Sequence, residues 1–396
     1  SKTKVILLHT DNLTYDQYRH PGAQILTGNV QFQHDGVLMY CDSACFYEAT
    51  NSFDAFGHVK MVQGDTLDLV GDMLLYNGLD QLARVRHNVV LTHRESKLYT
   101  DSLDYDRLYE LGYFFEGGKL VDKDNVLTSD WGQYSPPTRQ AVFNYNVKLE
   151  NPKFTLISDT LNYNTLTSMA EIVGPSNIDS GDNHIYSESG FYNTQTEEAI
   201  LLDRSIVTNK GRKMVGDSLY YDSKSGVGEG FRNVVYTDEV NKNMLTGNYC
   251  YYNDSTGYSM ATDSAVAIDY SQRDTMYMHA DTFKVYTFYM DTDSMYREVR
   301  GYHKVRSYRM DVQSVCDSLV FDSRDTCITM YRDPIVWNGG QQVLGEVIKV
   351  YLNDSTIDRI HVIDQTLSVE RIDSVHYNQV AGKEMTSYFR DGEMYE

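Results

Sequence analysis

In the stretch YTDSLDY, residues 99–105, alternation places Leu103 and Tyr105 on one face of an extended chain and Ser102 and Asp104 on the other. Variants recur as HTDNLTY (9–15), VGDMLLY (70–76), ISDTLNY (157–163), VGDSLYY (215–221) and VCDSLVF (315–321), and the same parity pairs Leu74 with Tyr76, Leu161 with Tyr163 and Leu219 with Tyr221. A second phrase, an Asn or His followed by a β-branched residue, lies between these copies. It reads TGNVQF (27–32), FGHVKM (56–61), RHNVVL (86–91), YNVKL (145–149) and RNVVY (232–236), and it pairs Val30 with Phe32, Val59 with Met61, Val89 with Leu91 and Val147 with Leu149. A period of two in both phrases predicts β-strands with one apolar face.

The acidic position of the first phrase falls at Asp72, Asp101, Asp130, Asp159, Glu188 and Asp217, with one constant interval between neighbours. That interval marks a repeat of roughly 29 residues, the signature of one structural unit stacked many times. Looser copies stand at Asp11, Asp42, Asn248, Asp263, Asp281, Asp317, Glu346 and Glu384, where only the step from 317 to 346 restores the interval. Each unit therefore holds two strands, and each strand is interrupted near its middle by Gly-Asn, Ser-Asp or Gly-Asp. Such residues permit bends that β-branched neighbours resist, so each pair reads as a corner, with its Asp as a corner cap. The tetrapeptides His34–Val37, Tyr76–Leu79 and Asn209–Arg212 read as hairpin turns, which makes successive strands antiparallel and argues against a parallel β-helix. The expected architecture is all-β: V-shaped antiparallel strands stacked into two sheets that share a closed edge and face each other across a crease. At the usual spacing between strands, some two dozen of them would make an elongated body on the order of 100 Å. Regular repeats occupy 1–245 and a less regular continuation 246–396.

Composition agrees with this reading. The chain of 396 residues has 33 Tyr and only six Pro, and 41% of its residues are apolar, so a folded β protein is expected rather than a disordered one. The net charge of −21 argues against a nucleic-acid partner. No run of eighteen apolar residues is present, and the segment SKTKVILLHTD lacks the flanks of a signal peptide. The five Cys (Cys41, Cys45, Cys250, Cys316, Cys327) include no CxxC pair and read as small core or corner residues.

No arrangement for catalysis, metal or cofactor emerges. His87 and His93 lack zinc spacing, and the repeated Asp lacks the glycine-aspartate nonapeptide of calcium-binding rolls. One strongly basic stretch, YREVRGYHKVRSYR (296–309), offers Arg300, Lys304 and Arg306 as an anion contact, against the plainer reading of an exposed strand protected by charge. The apolar columns of both phrases would line the crease, either as a groove for an amphiphile's tails or as the core of a structural β-solenoid. A carbohydrate-active enzyme would need a distinct pair of carboxylates, which the stacked Asp column lacks.

The alternation of G-N-V-x-hydrophobic with S/G-D-x-L-x-Y resembles the OstA-like family of lipopolysaccharide transport, which includes the bridge protein LptA and the N-terminal domain of LptD. The tail HYNQVAGKEMTSYFRDGEMYE is similar to the same family. The resemblance implies an open, taco-shaped β-jellyroll whose crease carries lipopolysaccharide acyl chains across the periplasm, a signal peptide removed from the mature chain, and partners that pair end to end with its terminal strands. It implies a role in bridging the inner and outer membranes. By position, Val30, Phe32, Leu74, Tyr76, Leu103 and Tyr105 would then belong to the groove lining.

Overall fold

The computed structural model describes residues 3–353 and 356–395. Among these the chain forms thirty-five β-strands, paired antiparallel, and the only helix is a single 3-10 turn, Glu48–Thr50. The all-β expectation holds for a simple reason. Branched and aromatic side chains at period two give each strand one apolar face, and no segment carries the 3.6-residue period a helix needs.

The repeating element is a strand of 11 or 12 residues with a break at its centre, as in Gln24–His34, Val37–Tyr47, Ser52–Gln63, Leu67–Asn77 and Leu82–His93. In each pairing the register slips at the same place, between Thr27 and Val30, Phe56 and Val59, Val70 and Met73, and Arg86 and Val89. The half-strands before and after the slips form two wings. One wing contains 24–28, 43–47, 52–56, 73–77 and 82–86, and the other contains 30–34, 37–41, 59–63, 67–71 and 89–93. The corners need left-handed backbone, which Asn29, His58, Asn88, Asn146 and Asn233 supply at φ between 45° and 51°. Gly57, at φ +77°, admits nothing larger, because a Cβ there would stand 2.5 Å from Asp42 Oδ2.

Turn chemistry accounts for the reversals. Asp35-Gly36 and Lys210-Gly211 are two-residue hairpin loops with both residues at positive φ, joining His34 to Val37 and Asn209 to Arg212. The reading of Tyr76–Leu79 as a tight turn needs correction, because Asn77 pairs with Leu82 across a longer loop. There the Asn77 side chain accepts hydrogen bonds from the backbone N–H groups of Leu79 and Asp80, an Asx turn that Gly78 alone does not announce.

The chain divides into two compact units, residues 1–181 with 186–196, and residues 182–185 with 197–396. In the first unit the crease is full. Phe32 on one wing stacks on Phe53 of the other, with centroids 4.0 Å apart and rings 11° from parallel, and also meets Phe46 at 5.4 Å. Phe154 and Tyr192 meet across the crease in the same way at 4.8 Å. In the second unit the inward rows mix small groups with large ones. One runs Gly230, Cys250, Ala261, Phe283, Gly301, Leu319, and another Leu245, Ala267, Met278, Ser307, Ser314. The first-unit row Leu26, Ala44, Ala55, Leu74, Val85, Leu103 is mixed in the same way.

The five cysteines carry free thiols, four of them buried. Burial pushes the thiols of Cys41, Cys250 and Cys316 up to about 12, where they are protonated and unreactive.

Candidate functional site

The crease is the candidate site. All sixteen residues that the phrases place on its face point inward: Val30, Phe32, Val59, Met61, Leu74, Tyr76, Val89, Leu91, Leu103, Tyr105, Val147, Leu149, Leu161, Tyr163, Leu219 and Tyr221 are each at most 2% exposed. Those of the first unit form a continuous apolar lining that is closed against itself. Alternation works as read, although Ser102 and Asp104 on the opposite face are also buried. Asp104 is covered there by Arg86, whose Nη1 lies 2.9 Å from its carboxylate and whose guanidinium also sits over the Phe115 ring.

At the closed edge, the repeated carboxylate caps the corner of the neighbouring strand. Asn29 donates to Asp11 (2.9 Å), Asn88 to Asp72 (2.7 Å), Asn146 to Asp130 (2.7 Å), Asn233 to Asp217 (3.0 Å) and Asn248 to Asp263 (3.1 Å). His58 takes the same place against Asp42 at 2.7 Å, and this hydrogen bond holds its imidazole above the ordinary histidine range. Asp11, Asp130 and Asp217 also donate their own backbone N–H to the carbonyls of Gly28, Tyr145 and Arg232. Part of the acidity of the chain is therefore a row of caps.

The open edge, or mouth, is held by residues that sequence reasoning missed. Tyr76 on one wing meets His34 on the other, Oη to Nδ1 at 2.6 Å. Because Arg107 Nη1 can only donate to that hydroxyl (2.7 Å), the Tyr76 proton goes to His34. Tyr134 meets His93 at 2.6 Å, and Tyr163 donates to Asp122 at 2.6 Å while accepting from Asn125 at 3.0 Å. The pairs His34–Tyr76, His93–Tyr134 and Asp122–Tyr163 lie 41 or 42 residues apart. The tyrosines stay protonated: burial raises Tyr76 against the opposing pull of Arg107, and burial and then Asp122 raise Tyr163. Burial, followed by Arg139 and Arg94, pulls His93 below its usual value, so its imidazole is neutral. A signal for these groups exists in the sequence, since His34 and His93 continue the inward parity of Phe32 and Leu91 to the strand ends. A polar residue in phase with an apolar column marks the mouth.

The basic stretch does not converge. Arg300 lies on one wing, engages Glu298 at 2.5 Å and sits over the Tyr286 ring; Lys304 is at the corner; Arg306 lies beyond it on the other wing. The deeply buried cation is Arg309, held by two 2.6 Å bonds to Asp311.

Small cavities of about 20 and 40 Å³, with room for a water or two each, lie between the wings of the second unit. One is lined by Val207, Met214, Leu219, Tyr221, Tyr236 and Tyr252, and the other by Met276, Met278, Arg309, Phe321, Ile328 and Leu352. Tyr236 and Tyr252 face each other over the first at 5.8 Å.

A stack of bent strands with a two-winged apolar crease defines a β-jellyroll of the lipopolysaccharide-transport type. The chain belongs to the OstA-like protein family, whose model matches residues 2–159 and 155–217. No curated protein matches it. No helix among the described residues is long and apolar enough to cross a membrane.

Proposed function

We propose that this protein is a periplasmic carrier that holds lipopolysaccharide acyl chains in its crease and helps to bridge the inner and outer membranes. The observation that carries the reading is the uninterrupted inward apolar face shared by successive bent strands. An alkyl chain gains about 0.8 kcal/mol per buried CH₂ on such a face and needs no specific polar partner, so it can bind and still slide. In this reading the sixteen column residues are the lining, and a tail enters by parting the two wings rather than by filling a ready-made channel, since the cavities of the second unit have room for only a water or two.

The terminal strands support partners at the ends. Ile6, Leu8, Leu13 and Tyr15 are exposed on the first strands, and Tyr377–Arg390 carries pairing on its outer edge only at Phe389 and Arg390 among the described residues. Such edges accept another strand, so a related jellyroll would extend the crease.

A second reading, a structural β-solenoid with a filled core, is favoured for the first unit by its closed lining. Photo-crosslinking separates the two. A photoreactive residue at Tyr236 should capture lipopolysaccharide in cells, whereas one at the outward Tyr249 should not. Equal capture at both, or none at Tyr236, would remove the carrier reading and leave the scaffold.

A further inference from the structure

An antiparallel sheet that packs one face on a core commonly turns polar residues to water on the other. The wing of the first unit that contains 30–34 obeys this. Its two outward rows carry Lys60, Lys97, Lys119 and Lys148 together with Asp68, Glu150 and Asp179. Lys60 pairs with Asp68 at 3.7 Å and Lys148 with Glu150 at 2.6 Å, so that face is a solvated one.

The corresponding wing of the second unit does not obey it. Met214, Leu245, Met278, Val336 and Val343 are buried on its inner side, and the residues that alternate with them point outward. One outward row, paired from strand to strand, runs from Val235 through Val266, Val315, Ile335 and Leu344 to Leu367, and its polar members between these are Thr246, His279 and Arg306. The row beside it contains Ile268, the directly paired Tyr277 and Tyr308, and Trp337. Tyr277 and Tyr308 are 46% and 53% exposed, and Met310, in the turn that follows, is 79% exposed. No Asp or Glu stands in either row among the described residues, although the chain has 56 of them. The cations there, Arg306 and at one end Lys213, are exposed, and neither forms an ion pair among the described residues.

A second apolar face is costly in water, and the charges on it decide what covers it. A second copy would bring Arg306 and Lys213 against the same cations, with no carboxylate to receive them. A lipid surface supplies what the face lacks. It offers hydrocarbon to the aliphatic row, phosphate oxygens to an unpaired guanidinium, and between them the depth at which tyrosine and tryptophan rings settle, apolar body inward and polar tip toward the head groups. Carboxylates elsewhere on the chain are repelled by an anionic surface, which turns the contact toward rows that have none.

We propose that the outer face of this wing in the second unit, centred on Tyr277, Tyr308 and Arg306, docks on an anionic phospholipid bilayer, with the rings and Met310 entering the head-group layer and Arg306 held by phosphate. The contact lies on the side of the sheet away from the crease, so it goes beyond the carrier reading and does not depend on it. It also gives a role to the one cation of the basic stretch that the corner sends outward onto this wing.

The test uses the full chain and large unilamellar vesicles of phosphatidylglycerol and phosphatidylcholine in equal parts, separated by flotation. The protein should float with them and bind vesicles of phosphatidylcholine alone several-fold more weakly. Arg306→Ala should weaken binding to the mixed vesicles about fivefold, the worth of one basic side chain near such a surface. Tyr277→Ser with Tyr308→Ser should weaken it about tenfold or more, because the apolar contribution scales with the area that enters the interface. Both tyrosines are half exposed, so the fold should survive their loss, which unchanged hydrogen exchange of the second unit verifies. Lys60→Ala on the first unit should leave binding unchanged. Trp131→Phe leaves Trp337 as the sole tryptophan, and its emission should move to the blue on the mixed vesicles and be quenched by brominated lipid. Equal flotation of the parent and the double tyrosine variant, or an unquenched Trp337, would overturn the docking face; lipid taken up through the crease would survive both changes, so the carrier reading would stand. Failure to float would overturn it as well. A dimer in sedimentation that Tyr277→Ser with Tyr308→Ser dissolves would assign the face to a second copy instead.

Discussion

The two units use the same bent strand, the same corner cap and the same inward parity, yet their interiors differ. In the first, Phe32, Phe46 and Phe53 meet ring to ring across the crease, and three tyrosine latches hold the mouth. In the second, Tyr236 and Tyr252 stand where Phe32 and Phe46 do, with centroids 5.8 Å apart, small cavities remain between the wings, and the mouth carries the partly exposed ion pair Arg212–Asp254. A repeated backbone therefore does not dictate a repeated interior. Whether a crease is a core or a channel depends on the summed volume of side chains facing each other from both wings.

That contrast can be broken or sharpened by mutation, with hydrogen exchange of the full chain reporting each unit separately. The largest effect is expected for Phe32→Ala, which removes a fully packed ring and should destabilise the first unit by about 3–5 kcal/mol. Phe321→Ala beside a cavity of the second unit should cost about 1–2 kcal/mol, because its ring is already partly in water. Equal losses at the two sites would mean that the interiors are equally tight.

Next comes the corner, which both units share. Gly57→Ala forces a Cβ into left-handed backbone and against Asp42, and should cost about 2–4 kcal/mol through strain and overpacking. An unchanged exchange pattern at 52–63 would show that the corner tolerates what the geometry forbids.

A smaller effect separates two tyrosines of one column. Tyr163→Phe takes the donor from Asp122 Oδ2 and one acceptor from Asn125, while Ser96 still bonds Oδ1 and Thr194 still accepts from the amide, so about 1–3 kcal/mol should be lost. Tyr221→Phe deletes an unpartnered hydroxyl and should be neutral or slightly stabilising in the lipid-free protein. Chemical denaturation read at the two units checks the pair; similar losses would contradict the difference between latched and unlatched mouths.

The smallest effect concerns pH. The folded His93 has a pKa below its ordinary value of 6.5, so the unfolded chain binds the proton more readily. Its contribution is present above pH 6.5 and is lost as the pH falls below that value through the folded pKa. His58 behaves in the opposite sense, since Asp42 raises its pKa: its fully exposed pair contributes below the ordinary value and is lost as the pH rises through the raised one. His93→Gln should therefore flatten the acid side of the stability profile of the first unit, whereas His58→Asn should not. An acid limb unchanged in His93→Gln would detach that histidine from the latch.

Much of this molecule was legible from sequence, for reasons that are local. Period-two alternation is a property of the strand itself, so Leu103 and Tyr105 had to share a face. A left-handed corner favours Gly or Asn, although His58 also takes one, so TGNV and RHNV marked the bends, and the constant interval between the acidic positions implied one unit stacked repeatedly. The Asn77 loop escaped because its cap is a side chain bonding two residues onward, which a dipeptide rule does not weigh. The scattering of Arg300, Lys304 and Arg306 escaped because a corner at His303–Lys304 sends a continuous basic run onto two different wings.

What sequence by itself determined is the strand, its bend, its inward face and its kinship. What only the tertiary structure decided is how far apart the two inward faces stand and what ties them at the mouth. Those depend on pairs such as His34 with Tyr76 and Arg212 with Asp254, which lie 42 residues apart and meet only once the intervening strands have stacked. Parity tells a side chain which way to point; the volume and charge of the group it meets there belong to another strand altogether.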